Sequence, residues 1–210
     1  MSGFAAAGGR SSQPGFTYHR RSRQVIGTFA GFEADLLRSL AGQMVELLRS
    51  ESALPAEPSD PFEAMFDFHG PTTAPEDPVL ARLFPDAYLD DEESAGEFRR
   101  FTESALRNRK VANASAIVDA LDDAGLPDEP DDDITIDVEL DRGAATAWMT
   151  SLTDIRLALA TRLGVEDDDE DRWIELPEED PARQVYAIYH WTGFLQETLV
   201  ESLSKAVSHA

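Results

Sequence analysis

Apolar residues recur at helical spacing in three stretches of the chain. In residues 32–50, leucine and methionine return every three or four positions, which is typical of one face of a helix. A second such stretch follows Asp141, a candidate N-cap, and stops at Gly164, a candidate C-cap. The third begins at Asp180-Pro181 and is apolar over more than half of its circumference. The pattern predicts three helices, the last either central in a bundle or shared with a second subunit.

The middle of the chain is less regular. Residues 51–90 hold seven of the twelve prolines, so only short helices fit there, around 62–68 and 78–84. Residues 91–123 contain no proline and begin with three acids, which predicts one long helix, with a break near 107–113 as an alternative. The apolar face predicted for this helix comprises Phe98, Phe101, Ala105, Ala112, Ala116 and residues 118–121.

Two short segments are typical of strands. Residues 24–30 are rich in β-branched and aromatic side chains, and residues 134–140 alternate apolar with polar positions. We expect them to pair as a two-stranded β ribbon. Residues 1–16 are rich in glycine, serine and alanine, which predicts a disordered basic tail before a single domain at 17–207. The predicted fold class is therefore mostly α: a single-domain helical bundle with a small two-stranded β ribbon.

The chain is strongly acidic. Its 210 residues include 18 Lys and Arg against 41 Asp and Glu, a formal net charge of −23. Such a charge disfavours broad contact with nucleic acid or anionic lipid. The absence of cysteine excludes disulfides, thiolate metal sites and cysteine nucleophiles. No apolar run approaches the length of a membrane span of about 18 residues, and no signal-peptide core is visible, so we expect a cytoplasmic protein.

No catalytic motif stands out. The four histidines, His19, His69, His190 and His209, are far apart and belong to no metal-binding motif. The sequence also lacks a nucleophile elbow, a P-loop and a dinucleotide-binding glycine motif. We therefore expect a protein that is not an enzyme and needs no cofactor.

One acidic loop partly matches a calcium-binding pattern. Asp167, Asp169 and Asp171 stand at ligand spacing, and Glu178 occupies the twelfth position. Arg172 stands where the sharp turn of such a loop needs glycine. We therefore treat these residues as a weak metal candidate and expect a solvated loop.

A basic cluster contrasts with the acidic body. Five of the eighteen basic residues lie within twelve positions: Arg99, Arg100, Arg107, Arg109 and Lys110. The cluster could bind an anion or an acidic partner. The alternative is that it neutralises the acidic segments around it through ordinary surface ion pairs.

Four further residues lie on or beside the apolar stripes of the later helices. Arg156 is expected to be half-buried and paired with a carboxylate. Gln196 should need a buried hydrogen-bond partner. Trp191 and Phe194 belong either to the core or to an interface with a partner or a second copy of the chain.

Several segments together resemble the actinobacterial AosR-like family, formerly catalogued as a domain of unknown function and labelled an oxidative-stress transcriptional regulator. The resemblance covers roughly residues 17–205. The segments that carry it are FEADLLRSL at 32–40, DPVLARLFPDAY at 77–88, EFRRFTE at 97–103, AWMTSLTDIRLAL at 147–159 and VYAIYHWTGFLQETL at 185–199.

The resemblance implies a regulator that senses oxidants through a Cys-x-x-x-Cys pair and acts through a stress-response sigma factor. Because this chain has no cysteine, no residue can take the sensor role. The resulting hypothesis is a non-enzymatic cytoplasmic regulator that acts by protein–protein contact, with a sigma factor or transcription complex as the partner. The alternatives are an anion or small-ligand module using the Arg99–Lys110 cluster, and a dimeric assembly partner.

Overall fold

The computed structural model describes residues 15–50, 70–131, 133–166 and 170–208. This part of the chain forms three strands and six helices. The strands are β1 (Gly15–His19), β2 (Gln24–Ala30) and β3 (Thr135–Leu140). The helices are α1 (Gly31–Ser50), α2 (Pro78–Leu83), α3 (Glu92–Asp123), α4 (Arg142–Leu163), α5 (Glu170–Ile174) and α6 (Pro181–Ser208).

The sheet is antiparallel, with strand order β1-β2-β3. The predicted pairing of 24–30 with 134–140 is present, but the expectation of only two strands is wrong. The additional strand, β1, begins at Gly15, two residues before the predicted start of the domain. Its backbone is held by α6, because Phe16 N donates to Thr198 Oγ1 at 3.1 Å and Ser202 Oγ donates to Phe16 O at 3.0 Å. These bonds supply stability that the short segment lacks by itself.

Aromatic rings join the sheet to the helices. Trp148 of α4 stacks on Phe29 of β2 at 6.2 Å and meets Phe16 of β1 edge-on at 5.7 Å. Between the two phenylalanines lies Gly27, where an added Cβ would come within 2.9 Å of side-chain carbons of both rings and of Val138. The glycine therefore allows the rings to cross the middle of the sheet.

The caps predicted for α4 and α6 are present. Asp141 accepts a hydrogen bond from Ala144 N at 2.8 Å, and Gly164 ends α4 in the left-handed conformation with a φ of 66°. Asp180 accepts from Ala182 N at 2.8 Å. Helix α2 matches the predicted short helix at 78–84, whereas the one expected at 62–68 lies outside the described residues.

Helix α3 differs from its prediction in two ways. It is continuous through 107–113, so the alternative of a break there is wrong. Its predicted apolar face is wrong in the N-terminal half, because Phe98 and Phe101 are exposed while Arg99, Glu103 and Arg107 are buried. At the C-terminal end the prediction holds, because Leu121 is buried in the core. The N-terminal half of α3 thus turns a row of charged side chains inward.

Candidate functional site

The inward row of α3 is centred on one buried carboxylate. Glu103 is only 3% exposed and accepts hydrogen bonds from Arg99 and Arg107, each at 2.6 Å. The three residues stand four apart, which places them on one face of the helix. Since both oxygens of the carboxylate are bonded to a guanidinium, the row is a closed ion-pair network.

The same guanidinium groups bind neighbouring segments. Arg107 donates to Leu48 O near the end of α1 at 2.7 Å, and its guanidinium lies 4.6 Å from the Phe84 ring centre. Arg99 donates to Phe84 O at 3.2 Å and to Asp86 at 2.5 Å. Cations suit carbonyls at helix C-termini, so the row fixes the ends of α1 and α2 against α3.

The pKa of Arg99 reflects this environment. Burial by itself would lower the pKa, but the hydrogen bonds to Asp86 and Glu103 outweigh it and raise the pKa above its ordinary value. The guanidinium therefore stays charged inside the protein, with both Nη atoms bonded and its Nε without a hydrogen-bond partner.

Lys110 makes a similar contact further along α3. Its Nζ lies 2.6 Å from Oδ1 of Asp154, a carboxylate buried on α4. The pair joins α3 to α4. It also places a fourth charged side chain of α3 in an internal contact.

The five clustered basic residues therefore do not share one surface. Arg99, Arg107 and Lys110 point inward, where they contact Phe84 O at the end of α2, Leu48 O of α1 and Asp154 of α4, respectively. Arg109 is exposed, and Arg100 is half-buried with its guanidinium 6.0 Å from the Phe101 ring centre. At about 100° per residue, positions 100 and 109 lie on opposite sides of α3.

Arg156 is half-buried between α4 and α6, as predicted. The expectation that it pairs with a carboxylate is wrong. It donates to Gln196 Oε1 at 2.8 Å and lies 5.0 Å from the ring centre of Tyr189. Among the described residues no carboxylate lies within 4.0 Å of its guanidinium nitrogens. Gln196 is satisfied on both sides, because its amide also donates to Thr153 at 2.6 Å. A planar guanidinium can be held by ring stacking and an amide oxygen without a counter-charge.

The two aromatic residues of α6 have different surroundings. Trp191 is half-buried against the core and its Nε1 donates to Glu33 Oε1 at 3.3 Å. Phe194 is exposed. Of the two predicted interface candidates, only Phe194 has a substantially exposed ring.

Most of the remaining predicted positions lie outside the described residues, and the described ones are dispersed. Asp167, Asp169, His69 and His209 lie outside the described residues, as does the side chain of Asp171, and Glu178 is exposed. His19 lies 3.1 Å from Ser22 Oγ, and His190 meets the edge of Tyr186 at 4.4 Å. No group of three His, Asp or Glu in the described ranges could hold a metal ion. Over the same ranges, no helix has the length and apolar character needed to span a bilayer.

A groove between α2 and α3 was not predicted. Its volume is about 140 Å³, and it is lined by the apolar residues Leu83, Phe84, Ala87, Ala95, Phe98 and Leu106, with Asp86, Arg99 and Glu103 at its polar side. The exposed rings that the sequence assigned to the core would have been the signal for it. Helical periodicity alone assigns those rings to the core, because it assumes that charged residues of the same helix are exposed.

These features define the structural class of the protein. It is a mostly helical protein with a three-stranded antiparallel sheet and charged contacts between its helices. More narrowly, the chain belongs to the family described as domain of unknown function DUF2017, whose profile matches residues 13–203.

Proteins named oxidative stress regulator AosR are relatives of this chain. Those of Mycobacterium bovis and Mycobacterium tuberculosis are 33% identical over 187 residues, covering 82% of this chain and 79% of the relative. A Mycobacterium leprae relative is 31% identical over 197 residues, covering 87% of this chain and 82% of the relative. No solved structure matches the chain.

Proposed function

We propose that this chain is a non-enzymatic regulatory protein of a stress response, and that it acts by contact with a sigma factor or another protein of the transcription machinery. The regulatory role is supported by its relatives, which are named oxidative stress regulators. Since the chain contains no cysteine, its regulation cannot use a thiol of its own.

The observation that supports a basic protein partner is the position of the clustered basic side chains. Three of the five clustered basic residues are paired with buried carboxylates: Arg99 and Arg107 with Glu103 of the same helix, and Lys110 with Asp154 of α4. The surface that meets other molecules thereby loses much of its densest cluster of positive charge, while the chain keeps a net charge of −23. Such a surface attracts basic protein surfaces and steers their association. The same contacts weigh against an anion-binding module at this cluster.

The test uses the full purified chain with sigma factors and core RNA polymerase of the source organism. Biolayer interferometry should detect a complex whose affinity falls as salt rises, because surface charge drives association. Diamide, which oxidises thiols, should leave the response unchanged when the partner's own thiols are blocked. The proposal is refuted if no sigma factor and no polymerase subunit binds at low salt.

A second candidate function is assembly through α6, favoured by three exposed large apolar residues on that helix, Phe194, Val200 and Val207. Sedimentation velocity over a concentration series should then show a dimer that Val200→Ser weakens. A monomer at every concentration excludes this alternative and leaves the first proposal intact.

A further inference from the structure

The rim of the α2–α3 groove exposes large apolar side chains in one place. Leu89 is 90% exposed, Tyr88 51% and Phe98 46%. The Tyr88 and Phe98 rings meet edge to face, with centres 6.2 Å apart, so these two exposed rings form one patch. Single exposed apolar residues are ordinary, but a contiguous patch beside a groove is typical of a docking surface.

The groove has room for one side chain. Its volume of about 140 Å³ is close to the ~150 Å³ of a cavity that accommodates benzene. The wall is formed by Phe84 and Leu83 at the end of α2 and by Phe98 and Leu106 of α3. An aromatic or large aliphatic side chain fits such a space better than an extended polar one does.

The chain segment that runs along the groove, residues 85–98, is acidic. Residues 85–98 contain no lysine or arginine and six acids, all of them exposed: Asp86, Asp90, Asp91, Glu92, Glu93 and Glu97. At the inner side, Arg99 is paired with Glu103 and with Asp86, and Glu103 is also paired with Arg107. Asp86 is therefore already neutralised, and the acids from Asp90 to Glu97 supply the negative charge. The outward field is therefore negative, and complementarity requires a positively charged occupant.

We propose that this groove binds a basic protein segment by taking up one aromatic or large aliphatic side chain between Phe84 and Phe98, while flanking lysines or arginines face the acids of residues 85–98. The inference rests on the proposed function, for which it names the docking surface and the chemistry of the partner segment. Affinity comes from the buried anchor, and steering comes from the charges.

The experiment measures fluorescence anisotropy of a labelled arginine-rich peptide with one central phenylalanine, titrated with the full chain. Two control peptides carry alanine in place of the phenylalanine, or glutamate in place of the arginines. The matched variants are Ala87→Arg, which fills the groove, and Ala112→Arg, which adds the same charge at an exposed position of α3 outside the groove lining.

We expect Ala87→Arg to lower the affinity for the phenylalanine peptide by about tenfold or more. Ala112→Arg should change this affinity by about twofold at most. The alanine peptide should bind more weakly, and the glutamate peptide should not bind. Phe98→Ala is the second groove variant, used if circular dichroism shows that Ala87→Arg has not folded.

Several results would overturn the inference. These are no binding of the basic peptide, equal losses in the two arginine variants, or equal affinity for the phenylalanine and alanine peptides. A dimer of the unmodified chain that Ala87→Arg abolishes would assign the groove to a second copy instead.

The same variants keep this inference separate from the proposed function. A sigma-factor or polymerase complex that is insensitive to Ala87→Arg refutes the groove and leaves the function standing. Peptide binding in the groove without any sigma-factor or polymerase complex refutes the proposed function and leaves the groove standing.

Discussion

Replacing Glu103 by glutamine tests whether the buried row of α3 holds the fold together. The substitution keeps the shape and the burial of the side chain but removes its charge. Arg99 and Arg107 would then face one neutral oxygen and one amide group that can only donate. At least one of the two 2.6 Å charge-assisted bonds is lost, and the other is weakened.

The magnitude follows from the number of contacts. A hydrogen bond to a charged group contributes about 1.5–3 kcal/mol, and breaking a buried ion pair costs about 3–5 kcal/mol. Both arginines retain other acceptors, Asp86 and Phe84 O for Arg99 and Leu48 O for Arg107. We therefore expect the lower end of the range, a loss of about 3 kcal/mol in the free energy of unfolding. For a chain of this size, this corresponds to a fall in Tm of about 6–12 °C.

Urea denaturation followed by circular dichroism measures the loss, and Glu97→Gln is the matched control. Glu97 is an exposed carboxylate on the same helix, so its variant should stay within about 0.5 kcal/mol of the unmodified chain. The reasoning is refuted if Glu103→Gln also stays within that range.

Two further predictions concern local structure. Gly42→Ala should stabilise the chain by about 0.5–1 kcal/mol, because it raises helix propensity where an added Cβ meets open space. Gly27→Ala should cost about 1–3 kcal/mol, because its Cβ would overlap neighbours at 2.9 Å; urea denaturation compares the two, and equal effects would contradict the prediction. The hydrogen bond from the Ser94 hydroxyl, with its backbone N–H, lowers the pKa of Asp91 below 3.8. The stability that this N-cap contributes is therefore present above pH 3.8 and is lost as the pH falls through the lowered pKa. A carboxyl NMR titration of Asp91 measures this pKa, and a value at or above 3.8 would refute the prediction.

Helices α1, α4 and α6 could be predicted because their determinants are local. Apolar spacing marks the buried face of each helix, and Asp141, Gly164 and Asp180 mark ends that the structure reproduces. Caps and periodicity act within a few residues, so they can be read from sequence alone.

The inner face of the N-terminal half of α3 was predicted wrongly for a physical reason. Hydrophobic periodicity treats every charged residue as exposed, yet Arg99, Glu103 and Arg107 satisfy one another and can be buried together. The spacing Arg-x-x-x-Glu-x-x-x-Arg was the available signal, because residues four apart on a helix are neighbours. A buried row of this kind forces the phenylalanines beside it outward, and so the groove was missed as well.

Strand β1 illustrates a different limit. Its five residues carry little pattern of their own. Besides its pairing with β2, the strand is held through the backbone of Phe16 by Thr198 and Ser202, more than 180 residues away in sequence. A contact that distant leaves no local signature. Sequence reasoning therefore placed Phe16 in the tail although it is part of the core.

The buried row and the groove are physically connected. Arg99 donates to Phe84 O and to Asp86, both of which line the groove, and Glu103 orients Arg99 from the other side. Loss of the Glu103 charge should consequently loosen the groove wall as well as the fold. Under conditions where both variants remain folded, Glu103→Gln should lower the affinity for the basic peptide. Gly27→Ala strains the sheet and should leave this affinity unchanged. Equal peptide affinities in these two variants would mean that the row stabilises the fold without shaping the surface. A difference between them would show that the charges buried in α3 help to build the docking surface.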